Sequence, residues 1–257
     1  MAIAFNAAAD LGNNGGSSNP FSVSYTCGSG SNRLLIVGLL GDLQSGNDDI
    51  TGVTYNSVAM TLAAKNTSET QNRFMYIYYL LNQASGANNV VISSTFSHYL
   101  IAVAADYTGV LAKDGSTTNQ DNTIGATSLT TSLTTSADNC WTILLEMSFN
   151  GGSGSTAGTG STQRVLGAAF GEPALYDSNG VIHPAGSYSM TTNVSGGSLG
   201  IGHVMVSFSP TAGSSFGGFT RQNLAQSGSP ARAAQQWHKR GSIYVPKPDH
   251  WDIRKAA

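Results

Sequence analysis

The sequence is poor in charge. Asp, Glu, Lys and Arg together make up 10% of its 257 residues, against about 25% in an ordinary soluble domain. Their place is taken by Ser, Thr, Asn and Gly, which favour turns and strand surfaces over helix interiors. That composition excludes a helical bundle. Cysteine is scarce as well: Cys27 and Cys140 are the whole complement, too few for a secreted disulfide scaffold, so two free buried thiols are expected. Long apolar runs are missing. The longest, Leu34–Leu40, falls far short of the roughly 18 residues a membrane helix requires. Met1–Asp10 lacks a basic leader segment and no apolar stretch follows it, so the chain is read as folding in a cytoplasm. With no secretory route, Asn66-Thr67-Ser68 and Asn193-Val194-Ser195 are read as chance matches to the glycosylation pattern.

What is present is strand after strand. Phe21, Val23, Tyr25 and Cys27 alternate with Ser22, Ser24 and Thr26, the period of a strand with one buried face. Leu34–Leu40 fits a strand buried on both faces. Val53 and Tyr55, then Val58, Met60 and Leu62, flank Asn56-Ser57 and predict a hairpin. Further strands are expected over Phe74–Leu81, Val90–Ser93, Tyr99–Tyr107, Trp141–Phe149, Tyr188–Thr192 and Leu199–Phe208. Trp141 heads one face of its strand, and Glu146 on the other face is expected to meet solvent. Gly-rich turn clusters separate these segments. Gln163–Tyr176 reads as a short helix or a long loop. The pattern predicts an all-β fold, an antiparallel β-sandwich of jelly-roll type over residues 1–210.

Residues 211–257 differ. Residues 1–212 carry five Lys and Arg against twelve Asp and Glu, a net of −7, whereas residues 213–257 carry seven against two, a net of +5. Ser229-Pro230, Ala231–Arg240 and Gly241 have the composition of a short capped helix. Val245-Pro246-Lys247-Pro248 must be extended. The segment has too few apolar residues for a core of its own, so it is read as a docking arm. Its candidate partner-binding residues are Trp237, Lys239, Arg240, Tyr244, Lys247, Trp251 and Arg254, because Trp, Tyr and Arg dominate the energetics of interfaces.

Catalytic and metal patterns are weaker. Gly213-Ser214-Ser215-Phe216-Gly217 matches a nucleophile elbow in letters, but it lies in a Gly/Ser-rich linker without the strand–turn–helix context. His98, His183, His203, His238 and His250 show no metal-ligand spacing; His203 is expected to be a hydrogen-bonded sheet residue. Asp42 with Asn47-Asp48-Asp49, and Asp121-Asn122, do not follow a calcium-loop spacing and read as turn residues. Glu146 and Glu172 are the carboxylates considered for glycoside hydrolysis. No phosphate loop is present. Tyr76, Tyr78, Tyr79, Tyr99 and Tyr107 could stack on sugars, though their strand positions favour packing.

A larger combination is more specific. Phe5-Asn6-Ala7-Ala8, Ser31–Gly38, Ile50–Tyr55, Val58–Thr61, Met75–Leu81, Ser85–Ile92 and Ala102–Val110 together resemble a group of β-sandwich proteins encoded by tailed bacteriophages and their prophages. Proteins of that group are described as virion-associated, tail or decoration proteins. The resemblance covers residues 1–110 and extends loosely to 141–149 and 199–208, leaving the arm without a counterpart. It implies a non-enzymatic structural component of a virion, assembled in the host cytoplasm, without cofactor, metal, nucleic acid or membrane. Such a component would decorate or cement the capsid or form part of a tail appendage, as a homo-oligomer, preferably a trimer, bound to other virion proteins. A carbohydrate-binding module that recognises host surfaces is the alternative, and a hydrolase acting through Ser215 or a carboxylate pair is the third.

Overall fold

A computed structural model describes residues 2–16, 18–42, 50–68, 72–97, 99–148, 153–168, 173–195, 199–211, 237–240 and 243–246, the side chains of Ser153 and of residues 237–246 excepted. The chain divides into two units, Met1–Ser214 and Ser215–Ala257.

The described residues of the first unit form four antiparallel sheets. The strands of its N-terminal half are β1 (Ala4–Asn13), β2 (Phe21–Cys27), β3 (Leu34–Asp42), β4 (Ile50–Tyr55), β5 (Val58–Ala59), β6 (Thr61–Ser68), β7 (Arg73–Leu81), β8 (Gly86–Ser94) and β9 (Leu100–Thr108). They form an inner sheet, β1-β9-β3-β7-β6, and an outer sheet, β2-β8-β4-β5. The C-terminal half follows with β10 (Val110–Asp121), β11 (Ser128–Thr134), β12 (Trp141–Ser148), β13 (Ser153–Ala157), β14 (Thr162–Leu166), β15 (Ala174–Asp177), β16 (Ser187–Ser195) and β17 (Ile201–Pro210). Its inner sheet is β10-β17-β12-β15-β14 and its outer sheet is β11-β16-β13. The expected all-β, antiparallel sandwich architecture is present, and the body holds two such sandwiches.

The two halves are copies of one topology. Reading β10 to β13 as β1 to β4, and β14 to β17 as β6 to β9, reproduces both sheet orders, with β5 alone lacking a counterpart. Three β-bulges also coincide: Asn6 with Asp114, Thr51 with Gly154, and Ala63 with Arg164. A bulge inserts one unpaired residue and increases the local twist, so shared bulges mark shared sheet curvature.

The inner sheets pack face to face. One core cluster joins Ile36, Ile77 and Val103 to Ile143, Leu145 and Val206 across that interface. A second lies between the N-terminal inner and outer sheets, around Leu35, Tyr76, Tyr55 and Ile92, and a smaller third does the same in the C-terminal half, around Leu144, Met205, Leu133 and Met190. The body is therefore a four-layer stack. β3, β9, β12 and β17 are buried on both faces, whereas β2, β11 and β16 alternate buried and exposed.

The stack explains one departure from expectation. Glu146 does lie on the face of β12 opposite Trp141, but the second outer sheet covers that face and leaves Glu146 fully buried. A second departure is Gln163–Tyr176, which holds the strands β14 and β15 in place of a helix or an unpaired loop. The Asn56-Ser57 hairpin is as expected; φ values of 49° and 63° give the positive pair that a two-residue hairpin turn needs.

In the second unit the expected helix is not formed over its last turn. Trp237–Arg240 is a strand, β18, paired antiparallel with β19 (Ile243–Pro246). Residues 231–236, the rest of that helix, lie outside the described residues. The β-branched and aromatic residues Trp237, Ile243, Tyr244 and Val245 around a Gly-Ser pair suit a hairpin, and cross-strand pairing takes the place of the helix expected over Trp237–Arg240.

Candidate functional site

The expected partner-binding residues fall mostly in the second unit's hairpin. Trp237 stands opposite Pro246, Lys239 opposite Tyr244, and Arg240 opposite Ile243. The register thus brings Lys239 and Tyr244 side by side. Lys247, Trp251 and Arg254 lie outside the described residues, as do Ser215, Glu172, His98, His250 and Asn47-Asp48-Asp49.

Among the described residues of the body, three carboxylates are held in hydrogen-bond networks. Asp106 on β9 accepts hydrogen bonds from Asn6 Nδ2 at 2.6 Å, Tyr25 Oη at 2.8 Å and the Gly28 amide at 3.0 Å. Burial, and then the bond to Asp106, hold the Tyr25 phenol far above its ordinary pKa. At the equivalent corner of the other half, Asp114 on the β10 bulge accepts from the Ser136 amide at 3.0 Å and Ser207 Oγ at 3.0 Å, and from the Ser136 hydroxyl. Burial raises the Asp114 pKa, but the bonds from Ser136 and Ser207 outweigh it, so the carboxyl sits below the usual range. Gly28 and Ser136 lie just past the ends of β2 and β11. Each half therefore fills the same corner with one carboxylate, supplied by β9 in the first and by β10 in the second.

A third carboxylate joins the halves. Asp177 Oδ2 on β15 accepts from Arg164 Nε at 2.7 Å and from Tyr107 Oη of β9 at 3.1 Å. The Arg164 guanidinium also lies 4.2 Å from the centre of the Phe5 ring, within cation–π range. Burial beside Asp177 drives the Tyr107 phenol well above its ordinary pKa.

His203 is a sheet residue, as the sequence indicates. Its Nδ1 and Nε2 lie 2.8 Å from Thr131 Oγ1 and Thr192 Oγ1, both on the outer sheet. Desolvation lowers its pKa to about 3. Glu146 is its cross-strand neighbour. The equivalent pair in the first half is Leu39 and Ala102, so one core is polar where its copy is apolar. His183, in the loop before Pro184, has Nδ1 3.6 Å from Asp138, both exposed. Asp121 Oδ1 accepts from the Thr123 amide, the turn role expected of it. Asp42 is paired with Arg73. Cys27 and Cys140 are buried and free; burial raises both thiols, Cys140 to about 11.

Of the tyrosines considered for sugar stacking, Tyr99 is half-buried. Tyr76, Tyr78 and Tyr107 are buried in the core and Tyr79 packs edge-on against Phe208. The outward faces are hydroxyl and amide instead. Thr130 pairs with Thr191 at 2.8 Å and Ser132 with Ser189 at 2.7 Å across β11 and β16. On the first outer sheet, Asn56, Ser57, Ala87, Asn88, Asn89 and Val91 line an open depression of about 370 Å³. No sequence signal beyond Asn and Ser at a turn beside a strand marks this depression. No family model, no curated protein and no solved structure matches the chain.

Proposed function

We propose that the protein is a non-enzymatic structural component of a phage virion, in which the Met1–Ser214 body is displayed and residues 215–257 hold it to another virion protein. The observation that supports this reading is the division of the chain into a stacked β body with uncharged outward strands and a separate small unit rich in basic and aromatic residues. A cationic hairpin bearing Trp and Tyr suits capture by an acidic protein surface. Capsid decoration, cementing and a tail appendage are all served by this arrangement, and a homotrimer fits each. The test is re-binding: purified full-length protein should bind particles that lack it, and a chain ending at Ser214 should not. Equal binding by both chains, or by neither, overturns the proposal.

The depression beside Asn56 and Asn89 favours a second reading, capture of a neutral glycan through amide and hydroxyl hydrogen bonds. A glycan array with the wild type beside Asn89→Ala separates the two. Signal that the substitution abolishes supports the module, and an empty array removes it.

A further inference from the structure

An asparagine followed by glycine is open to a reaction within the chain. The glycine has no Cβ, so its backbone nitrogen can approach the preceding side chain and attack the amide carbon. The sequence holds three such pairs, Asn14-Gly15, Asn150-Gly151 and Asn179-Gly180. Asn150-Gly151 lies outside the described residues. The fold treats the other two in opposite ways. Asn14 is only 7% exposed. Its Oδ1 accepts from the amides of Leu100 at 2.9 Å and Gly16 at 3.0 Å, and its Nδ2 donates to the Ser18 carbonyl at 3.0 Å. The attacking nitrogen is engaged as well, because the Gly15 amide donates to Asn13 Oδ1 at 3.0 Å. Asn179 is exposed, in the turn after β15. Its Oδ1 accepts from Arg164 Nη2 at 2.7 Å and its backbone amide donates to Asp177 Oδ1 at 2.9 Å. Among the described residues, neither Asn179 Nδ2 nor the Gly180 amide donates to any group. A Cβ built on Gly180 would meet nothing within 4 Å, so the turn has room for a new ring and for water. The attacking nitrogen and the leaving group are thus both held at Asn14 and both unheld at Asn179.

We propose that Asn179-Gly180 is a self-modification site of the folded protein, at which the side-chain amide is converted to a carboxylate. The Gly180 nitrogen bonds to Asn179 Cγ, and the Cγ–Nδ2 bond breaks. Nδ2 departs as ammonia with the proton that the Gly180 amide gives up. The cyclic imide then takes up one water. Opening at Cγ gives aspartate, and opening at the main-chain carbonyl gives isoaspartate, which carries an extra methylene in the backbone. Residue 179 has a left-handed backbone, with φ of 49°, a conformation that aspartate adopts as readily as asparagine. The new carboxylate of the aspartate product stands where Arg164 Nη2 already donates, and a charge-assisted bond replaces a neutral one. Conversion therefore adds a negative charge beside the Arg164–Asp177 pair within the existing turn.

The test is peptide mass mapping of the full-length protein during incubation in mildly alkaline buffer, beside Gly180→Ala, with circular dichroism to confirm that both stay folded. Wild type unfolded in urea sets the time in which an unprotected Asn-Gly pair converts. Within that time the folded wild type should gain the mass of acid for amide at residue 179, divided between aspartate and isoaspartate, while residue 14 remains an amide. Gly180→Ala should slow the conversion at residue 179 several-fold. A residue 179 that stays an amide in the folded protein while the unfolded chain converts overturns the inference. So does conversion of residue 14 at the rate of residue 179 in the folded protein, since the fold would then make no distinction between them. Unchanged conversion in Gly180→Ala overturns the attack by the nitrogen of residue 180.

Discussion

Gly38 of β3 and Leu145 of β12 occupy the same position in the two halves and meet across the interface between them. A Cβ built on Gly38 would stand 2.7 Å from Leu145 Cδ1, so the leucine of one copy fills the space left by the glycine of the other. The same relation holds further along the interface, where Tyr79 packs on Phe208 and the equivalent pair, Asp177 and Tyr107, is hydrogen-bonded. The halves are thus related by an approximate two-fold axis, and their contacts have diverged in chemistry while keeping their positions. Gly38→Ala should destabilise by about 1–3 kcal/mol through overpacking. Leu145→Ala should cost about 2–5 kcal/mol. The double variant should cost less than the sum, because the new methyl enters the space the leucine vacates. Urea unfolding of the four proteins measures the coupling.

The Asp177 cluster predicts an asymmetric response. Its side chain is fully buried and that of Arg164 is 14% exposed. Asp177→Ala removes the partner of a largely buried guanidinium and should cost about 3–5 kcal/mol. Tyr107→Phe removes one hydrogen bond and should cost about 0.5–1.5 kcal/mol. Thermal unfolding of the two variants orders them.

His203 predicts acid sensitivity. Its folded pKa of about 3 lies below the unfolded value of roughly 6.5, so between these limits the unfolded chain binds more protons. The stability tied to neutral His203 is fully present above pH ~6.5 and is lost as the pH falls toward 3, with a maximal slope of about 1.4 kcal/mol per pH unit. Unfolding free energies across this range should show a contribution of that size in the wild type that is absent from His203→Gln.

The thiols predict slow chemistry. Cys140 is buried with its pKa pushed up to about 11, and the thiolate is the reactive form. A thiol reagent should label neither Cys27 nor Cys140 in the native protein and both in urea, with labelling that follows global unfolding.

The division of the chain predicts independence. The three core clusters among the described residues lie within Met1–Ser214. A chain ending at Ser214 should melt at the temperature of the full chain, as read by circular dichroism.

The sequence made individual strands legible, and their layering was hidden. Period two in Phe21–Cys27 and in Trp141–Met147 is a local property of the chain, written in adjacent residues. Whether the second face of β12 meets water depends on β11 and β16, and so a glutamate that alternation assigns to solvent is buried. β14 and β15 escaped notice because each is short and Gly167 and Pro173 interrupt the apolar pattern between them. The duplication was invisible because it is kept in bulges and pairings rather than in residue types: Asn6 answers to Asp114, Gly38 to Leu145, Asp106 to Ser207. The polar networks around Asp106 and Asp177 draw on partners up to 100 residues apart, beyond the reach of any spacing rule.

The first and last strands of the body begin and end together. Ile3 packs in the cluster that holds Tyr107 and Val110, and the Thr211 amide donates to Gly109 O. The last residues of β1, β3, β6 and β8 and of their counterparts lie at the opposite end, where Asn66 Nδ2 reaches the carbonyls of Asn119 and His203. A surface, bead or fused domain attached just before Ile3 or just after Thr211 therefore grips the same pole. Either immobilisation orients the body identically, with the pole that holds Asn66 and Asn119 turned outward to whatever flows past.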